Sequence, residues 1–386
     1  MDLLQPTTIA GLLATGSGVA LLGSVKVALA RKLQIDETRV GGLVSMFGFA
    51  MIPVMLSVGF LTDLVGKQPV LIGGSVVLAA SLVLLARAKH YGLALLGVLM
   101  LSAGWATVIN VVNPLSLIAF GGTKAYALNL ACFYFGLGAF VTPLVVAFLL
   151  RRVGLAPALL ILAGFVLVTA LLAVGADFSA ITPPIPPPET TGVVAPGMIT
   201  LLSDAMMWLC ALGLVFYSPL EASMAAWATT HLGQQGVSEG AASGVLSTFW
   251  LTFMASRLMT AFALPAGGEA VLILGLSLVC IAVLAGVVWG RGRTVAATMV
   301  IAAGLVFGPI FPTIMAVLLG HFEPSVHGRA VGLFFAIGGI GWTTIPLLMG
   351  AYAQRTSVQR GFLIAVASAA GLCATAAALL SRVSGA

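Results

Sequence analysis

Apolar runs of about 18 or more residues, separated by short polar punctuation, succeed one another along the whole chain, and each is long enough to cross a bilayer as a helix. Twelve are read, at approximately 6–29, 39–62, 69–87, 92–120, 126–150, 156–176, 199–230, 240–264, 269–290, 295–320, 328–351 and 360–381. Most connections are under about ten residues, which forces successive helices to run antiparallel. The exception is 177–198, a polar stretch carrying Pro183, Pro184, Pro186, Pro187, Pro188 and Pro196. Proline lacks an amide donor and favours extended polyproline geometry, so this stretch predicts a semi-rigid linker outside the bilayer. The pattern therefore predicts an all-α membrane protein of twelve transmembrane helices, with one six-helix bundle over 1–176, the linker over 177–198 and a second bundle over 199–386.

The two halves echo each other. Gly42-Leu43-Val44-Ser45-Met46-Phe47 recurs as Gly244-Val245-Leu246-Ser247-Thr248-Phe249, an offset of 244 − 42 = 202. Gly136-Leu137-Gly138 followed by Pro143-Leu144 recurs as Gly339-Ile340-Gly341 followed by Pro346-Leu347, an offset of 339 − 136 = 203. The register extends to the loops, where Asp36-Glu37 matches Ser238-Glu239, and Asp36 and Ser238 each suit the N-cap of the helix that follows. A duplicated apolar unit predicts two pseudo-symmetric bundles, an arrangement from which membrane carriers build a central site.

Composition agrees with this solvent. Hydrophobic residues make up 60% of the chain and charged residues 7%, with mean hydropathy +1.16, whereas a soluble globule carries roughly 25% charged residues. The net charge of +6 comes from basic residues scattered singly through short loops, so no nucleic-acid partner is expected. Cys132, Cys210, Cys280 and Cys373 lie within apolar runs and read as small hydrophobes. His90, His231, His321 and His327 fall near run ends or in loops without an i, i+4 pair, so no metal site is implied. No phosphate-cradling loop, nucleophile elbow or paired catalytic carboxylates occur, so neither enzymatic activity nor a cofactor is expected. The first run lacks a basic n-region and a cleavage site and is expected to be retained.

The loop after the second run reads Gly59-Phe60-Leu61-Thr62-Asp63-Leu64-Val65-Gly66-Lys67. This resembles the G-x-x-x-D-x-x-G-[RK] signature of the major facilitator superfamily, at the position where that superfamily carries it. Glycine permits close helix approach and a tight turn, and an acid there can face the positive N-terminus of a neighbouring helix. The resemblance implies a transporter in the plasma or bacterial inner membrane, acting as a monomer on a small solute, with both termini cytoplasmic. It also implies that Asp63 latches the cytoplasmic side in the outward-open state, with Lys67 and Arg329 in the same gate. On that orientation Lys67, Lys124, Arg329 and Arg382 lie inside. Arg31, Lys32, Arg39, Arg87, Lys89, Arg151, Arg152, Arg291, Arg293, Arg355 and Arg360 lie outside, which runs against the positive-inside rule. The orientation is kept on the signature and the linker.

Further segments resemble the fucose:proton symporters and their glucose/galactose-transporting relatives. They are Phe216-Tyr217-Ser218-Pro219-Leu220-Glu221 with Trp227 after it, Phe249-Trp250 through Ser256-Arg257, the Asn113-Pro114 pair and the Gly339 to Pro346 run. The resemblance implies a sugar or sugar derivative as solute, moved by alternating access. The positions of that family's two proton-carrying acids read Gly23 and Ile109 here, so carboxylate-based coupling to a proton would depend on Glu221.

Glu221 is the one acid well inside a run, and intramembrane charge marks a functional site by default; its alternative role is a structural hydrogen bond near Pro219. Lys26, in the first run, is its candidate partner, or else snorkels to the headgroups. Arg257 is deeper than a loop residue and reads as a gating or helix-capping group, with solute contact as the alternative. Asn110, Asn113 and Asn129 are amides that either glue helices together or offer donors and an acceptor to a hydroxylated solute. Tyr134, Tyr217, Trp250 and Trp342 supply aromatic surface, while Trp105 and Trp289 read as packing or belt residues. Lys26 and Arg257 also support a second reading, an organic-anion transporter or exchanger. A third, a non-transporting membrane receptor, would need a large soluble extension.

Overall fold

The computed structural model describes residues 3–179 and 198–384. The prolines of the expected linker lie outside the described residues. Among those residues the chain is helical: α1 (Leu4–Leu33), α2 (Glu37–Val65), α3 (Lys67–Arg87), α4 (Tyr91–Phe120), α5 (Lys124–Arg152), α6 (Leu155–Gly175), α7 (Met198–Ser203), α8 (Ala205–Gln234), α9 (Glu239–Ala263), α10 (Glu269–Trp289), α11 (Arg293–Phe307), α12 (Ile310–His321), α13 (His327–Arg355) and α14 (Val358–Ser384), with a 3₁₀ turn at Pro324–Val326. Twelve stretches are long and apolar enough to cross a membrane, as the periodicity predicts. Helix is the required answer in that solvent, because hydrocarbon offers no partner to an open amide or carbonyl. Buried hydroxyls are satisfied in the same way, by turning back onto their own helix: Thr8, Thr15, Ser75 and Thr142 each donate to the carbonyl four residues earlier.

The expected spans differ from the observed helices at three points. Asp204 interrupts the seventh span by capping α8, its carboxylate accepting from the Met206 and Met207 amides at 2.7 and 3.3 Å. The tenth span is broken at Gly308-Pro309 into α11 and α12. Asp36 caps α2, accepting from the Arg39 amide at 2.8 Å, whereas the Ser238 side chain makes no capping bond to α9.

The chain forms two compact units. The first comprises 1–122, 134–198 and 322–336; the second comprises 123–133, 199–321 and 337–386. Their boundaries fall inside α5 and α13. In the first unit α3 packs on α4 and α6, α1 packs on α4 and α6, and α2 packs on α4. In the second unit the equivalent helices repeat the scheme: α10 packs on α11, α12 and α14, α8 on α12 and α14, and α9 on α11.

The duplication reaches individual atoms. In the first unit Gly138 lies so close to the Leu13 carbonyl that a methyl group has no room. In the second unit Gly341 is equally close to the Val215 carbonyl. Those pairs are related by 341 − 138 = 203 and 215 − 13 = 202, the two offsets of the sequence repeat. Likewise Ser102 donates to the Phe47 carbonyl at 2.8 Å, and its counterpart Gly304 is pressed on the Phe249 carbonyl. Such small-residue contacts let backbones approach where packing replaces the hydrophobic effect as the force between helices.

Candidate functional site

Two polar clusters occupy otherwise apolar surroundings, one in each unit. In the first unit the end of α2 meets the start of α13. The Asp63 carboxylate accepts from the Gly328 amide through Oδ1 at 2.9 Å, and from the Arg329 amide and Nε through Oδ2, both at 2.9 Å. Asp63 and Arg329 expose only 3% and 12% of their side chains. A carboxylate therefore sits on the amide-rich first turn of a helix and is paired with a guanidinium.

Each signature residue has a physical task here. A methyl at Gly59 would meet the Gly328 carbonyl at 2.6 Å, and one at Gly328 would meet Asp63 Oδ1 at 2.6 Å. Gly66 turns the chain from α2 into α3 at φ +99°, a region that disfavours side chains. Lys67 is buried and donates to the Pro324 carbonyl at 3.4 Å. Asn110 belongs to this cluster too: its Nδ2 donates to the Gly328 carbonyl at 3.1 Å, and the Thr62 hydroxyl lies 3.2 Å from its Oδ1. Asn113, the other amide of α4, turns back to the Ile109 carbonyl at 2.9 Å beside Pro114.

The second unit holds the other cluster, around the middle of α8. Tyr217 is buried, and its hydroxyl donates to Glu221 Oε2 at 3.0 Å, one helical turn on. Glu221 is half-buried, and its second oxygen has no hydrogen bond among the described residues. Among the described residues the Arg257 guanidinium of α9 forms no ion pair with Glu221. Arg257 is buried and anchored elsewhere: Nε donates to the Gly308 carbonyl at 2.9 Å, Nη1 donates to the Cys132 carbonyl at 3.1 Å, and the guanidinium lies 4.3 Å over the Phe253 ring.

The break in span ten explains that anchorage. Gly308 would give its carbonyl to residue 312, but Pro312 has no amide proton, so Arg257 supplies the donor at the negative end of α11. Next to Pro312, Thr313 donates to the Pro309 carbonyl at 2.6 Å and receives Asn129 Nδ2 at 3.4 Å. Asn129 is fully buried, and its Oδ1 has no partner among the described residues. Trp250 packs edge-on to Phe249 and Phe253 at 4.9 and 5.4 Å, one ring removed from Arg257.

The structure thus brings Asp63, Lys67, Asn110 and Arg329 together, and separately Asn129, Tyr217, Trp250, Glu221 and Arg257. It does not pair Glu221 with Lys26. Lys26 is exposed on α1 and, among the described residues, in no ion pair. Tyr134 stacks on Phe120 at 5.8 Å and Trp342 is 43% exposed. Trp105 is a buried packing residue whose Nε1 donates to the Thr15 carbonyl at 2.8 Å. Thr62, Gly328, Phe253 and Thr313 complete the clusters, and no sequence pattern singles them out. Only the proline spacing at 309 and 312 signals a break that would need a partner.

Comparison with known proteins places this architecture. The Major Facilitator Superfamily model matches residues 7–341. The solved fold of the major facilitator superfamily transporter FucP in the outward conformation superposes with a TM-score of 0.79 at 17% identity, covering 96% of this chain and 97% of that one. A single-substitution variant of the E. coli fucose:proton symporter FucP gives 0.79 at 17%, covering 97% and 98%. The human organic anion transporter MFSD10 (TETRAN) gives 0.77 at 15%, covering 97% and 99%. In sequence the chain is 27% identical over 176 residues to Bypass of stop codon protein 6 of Saccharomyces cerevisiae, covering 43% of this chain and about a third of that protein's length, 35%. With the family's model running through nearly all of its helices, this chain belongs to the major facilitator superfamily and is a multi-pass membrane transporter.

Proposed function

We propose that this transporter moves a small polar solute, a sugar or sugar derivative, by alternating access, and that the solute binds at the α8–α9 cluster of the second unit. The observation that carries the reading is Glu221: a carboxylate inside a span, held at one oxygen by Tyr217 and open at the other. Intramembrane charge is tolerated where it faces a solute path. An open carboxylate oxygen accepts a hydroxyl, the buried Asn129 Oδ1 accepts a second, and the Trp250 ring offers a face for the apolar side of a pyranose. Glu221 is also the group available to carry a coupling proton.

The Asp63 cluster is the gate in this reading. Its bonds tie α2 to α13 and favour one of two alternating states, with the N-terminus cytoplasmic and the membrane that of the cell surface, the plasma or bacterial inner membrane. The six-plus-six division at 177–198 is the unit of that movement. The functional test is counterflow of labelled neutral monosaccharides into proteoliposomes holding purified protein. Saturable counterflow, reduced at least tenfold by Glu221→Gln and by Asn129→Ala, is the expected result. Saturable counterflow that both variants leave unchanged would move the site elsewhere.

A further inference from the structure

We infer that the solute carries a negative charge, as a hydroxylated carboxylate of the sugar-acid type does, and that one end of the first unit is a cationic collar that gathers it. The inference rests on the polar-solute reading above and adds the charge. In the first unit α1 ends in Arg31 and Lys32, and Arg39 lies in the first turn of α2. Arg87 ends α3, Lys89 follows it, and α5 ends in Arg151 and Arg152. Because successive helices alternate in direction, these termini share one end of the unit, opposite the Asp63 cluster. All seven side chains are exposed.

Among the described residues no acid pairs with them. Asp36 is the one acid at that end whose side chain is described, and it caps α2. Several are instead fixed by neutral partners: Lys32 donates to the Ala86 carbonyl at 2.6 Å, Arg39 lies 5.8 Å over the Tyr91 ring, and Arg152 lies 5.7 Å over the Phe148 ring. Such partners hold a cation in position without neutralising it. Lys26 continues the sequence inward, exposed and about 7 Å further down α1 at ~1.5 Å per residue.

Cationic charge this dense attracts anions from within a Debye length, ~8 Å at physiological salt, and raises their encounter rate. Anionic headgroups have the same chemistry as a dissolved carboxylate. They account for the collar; Lys26 lies beyond it inside the span and reaches them only by snorkelling back along α1. A dissolved anion passing inward along the first unit meets both the collar and Lys26.

The test compares D-gluconate and D-glucuronate with D-glucose and L-fucose, by thermal shift and by initial uptake into phosphatidylcholine proteoliposomes. A ligand that binds only the native state raises its stability in proportion to ln(1 + [L]/Kd), so relative affinities follow from the shifts. We expect the acids to bind about tenfold or more tightly than the neutral sugars. Their uptake should fall several-fold between about 20 and 200 mM salt, the range over which steering passes from strong to screened. The combined variant Arg31→Gln, Arg87→Gln, Lys89→Gln, Arg151→Gln should lose most of that salt dependence, and Lys26→Gln should weaken acid binding in the thermal shift. The wild-type salt series needs no variant to fold. Neutral sugars bound and carried as well as the acids, without salt dependence, would overturn the charge and leave the polar-solute reading standing. Neither class bound nor carried would overturn both. A collar variant that loses only a response to added phosphatidylglycerol would make the collar a headgroup site and overturn the inference.

Discussion

The Glu221 carboxylate is half engaged, and that decides what its substitutions should do. Tyr217→Phe removes one hydrogen bond to a charged acceptor, a contact worth about 1.5–3 kcal/mol, while leaving the carboxylate in place. The variant should bind solute more weakly by roughly three- to tenfold and still respond to a pH gradient. Glu221→Gln preserves shape but removes the acid; it should lose accumulation driven by a proton gradient together with most of the counterflow. Accumulation that persisted in Glu221→Gln vesicles would show that the carboxylate carries no proton. Sequence picks out Glu221 because an acid inside an apolar run is rare, but opposite charge points to the wrong partner, Lys26. The actual partner is Tyr217 at i−4, which helical spacing alone places on the same face. Asn110 shows the same limit: its residue type suits a solute, and only the fold reveals that Thr62 and Gly328 already occupy it.

At the scale of elements, the breaks in spans seven and ten matter more than the spans. Twelve helices are legible because hydrocarbon length and hydropathy fix them; the interruption at Gly308-Pro309 is marked by its two prolines alone, because the apolar run continues unbroken through it. Arg257 reaches the Gly308 and Cys132 carbonyls from two different nitrogens, whereas a lysine has a single nitrogen on a shorter, unforked side chain. Arg257→Lys should therefore lower stability by about 1–3 kcal/mol, the cost of leaving a buried carbonyl without a donor, measured by thermal unfolding in detergent. A stability equal to wild type would mean that another donor reaches Gly308. The cap of α8 adds a pH dependence outside the spans. Burial alone would raise the Asp204 carboxyl, but the His321 imidazole at 3.0 Å and the Met206 and Met207 amides outweigh it and hold the group below its usual range. A carboxylate whose folded value is depressed stabilises the fold above its unfolded value, about 3.9, and loses that contribution as pH falls through the folded one. Relative to Asp204→Asn, the wild type should be more stable near neutrality, and the difference should vanish in acid. A constant difference across that range would assign the effect to capping alone.

For the whole molecule the sequence repeat is the strongest signal, and it survives as paired contacts: Gly138 with Leu13 and Gly341 with Val215, each leaving no room for a methyl. What the repeat does not contain is the Asp63 cluster. The repeat equivalent of Asp63, at 63 + 202 = 265, is Pro265, so a charged latch exists in one copy only. On the alternating-access reading proposed above, a repeated scaffold with this cluster in one copy only has its two states weighted unequally, by whatever the cluster contributes to one of them. Asp63→Asn keeps the shape and one acceptor but faces Arg329 with a neutral amide. A charge at a helix N-terminus is worth about 0.3–1 kcal/mol, up to ~2 when partly buried, and breaking a buried ion pair costs more, about 3–5 kcal/mol. Since 1.4 kcal/mol is about a tenfold change, the latched state should lose at least a factor of ten in population. The direct readout is hydrogen exchange at the Gly328 and Arg329 amides, which Asp63 accepts at 2.9 Å in the latched state. Their exchange in the variant should quicken by about tenfold or more, while amides elsewhere in α13 keep their protection. Uniform quickening along the helix would mean that α13 had lost its fold, and unchanged exchange at those two amides would mean that Asp63 contributes nothing to holding the state.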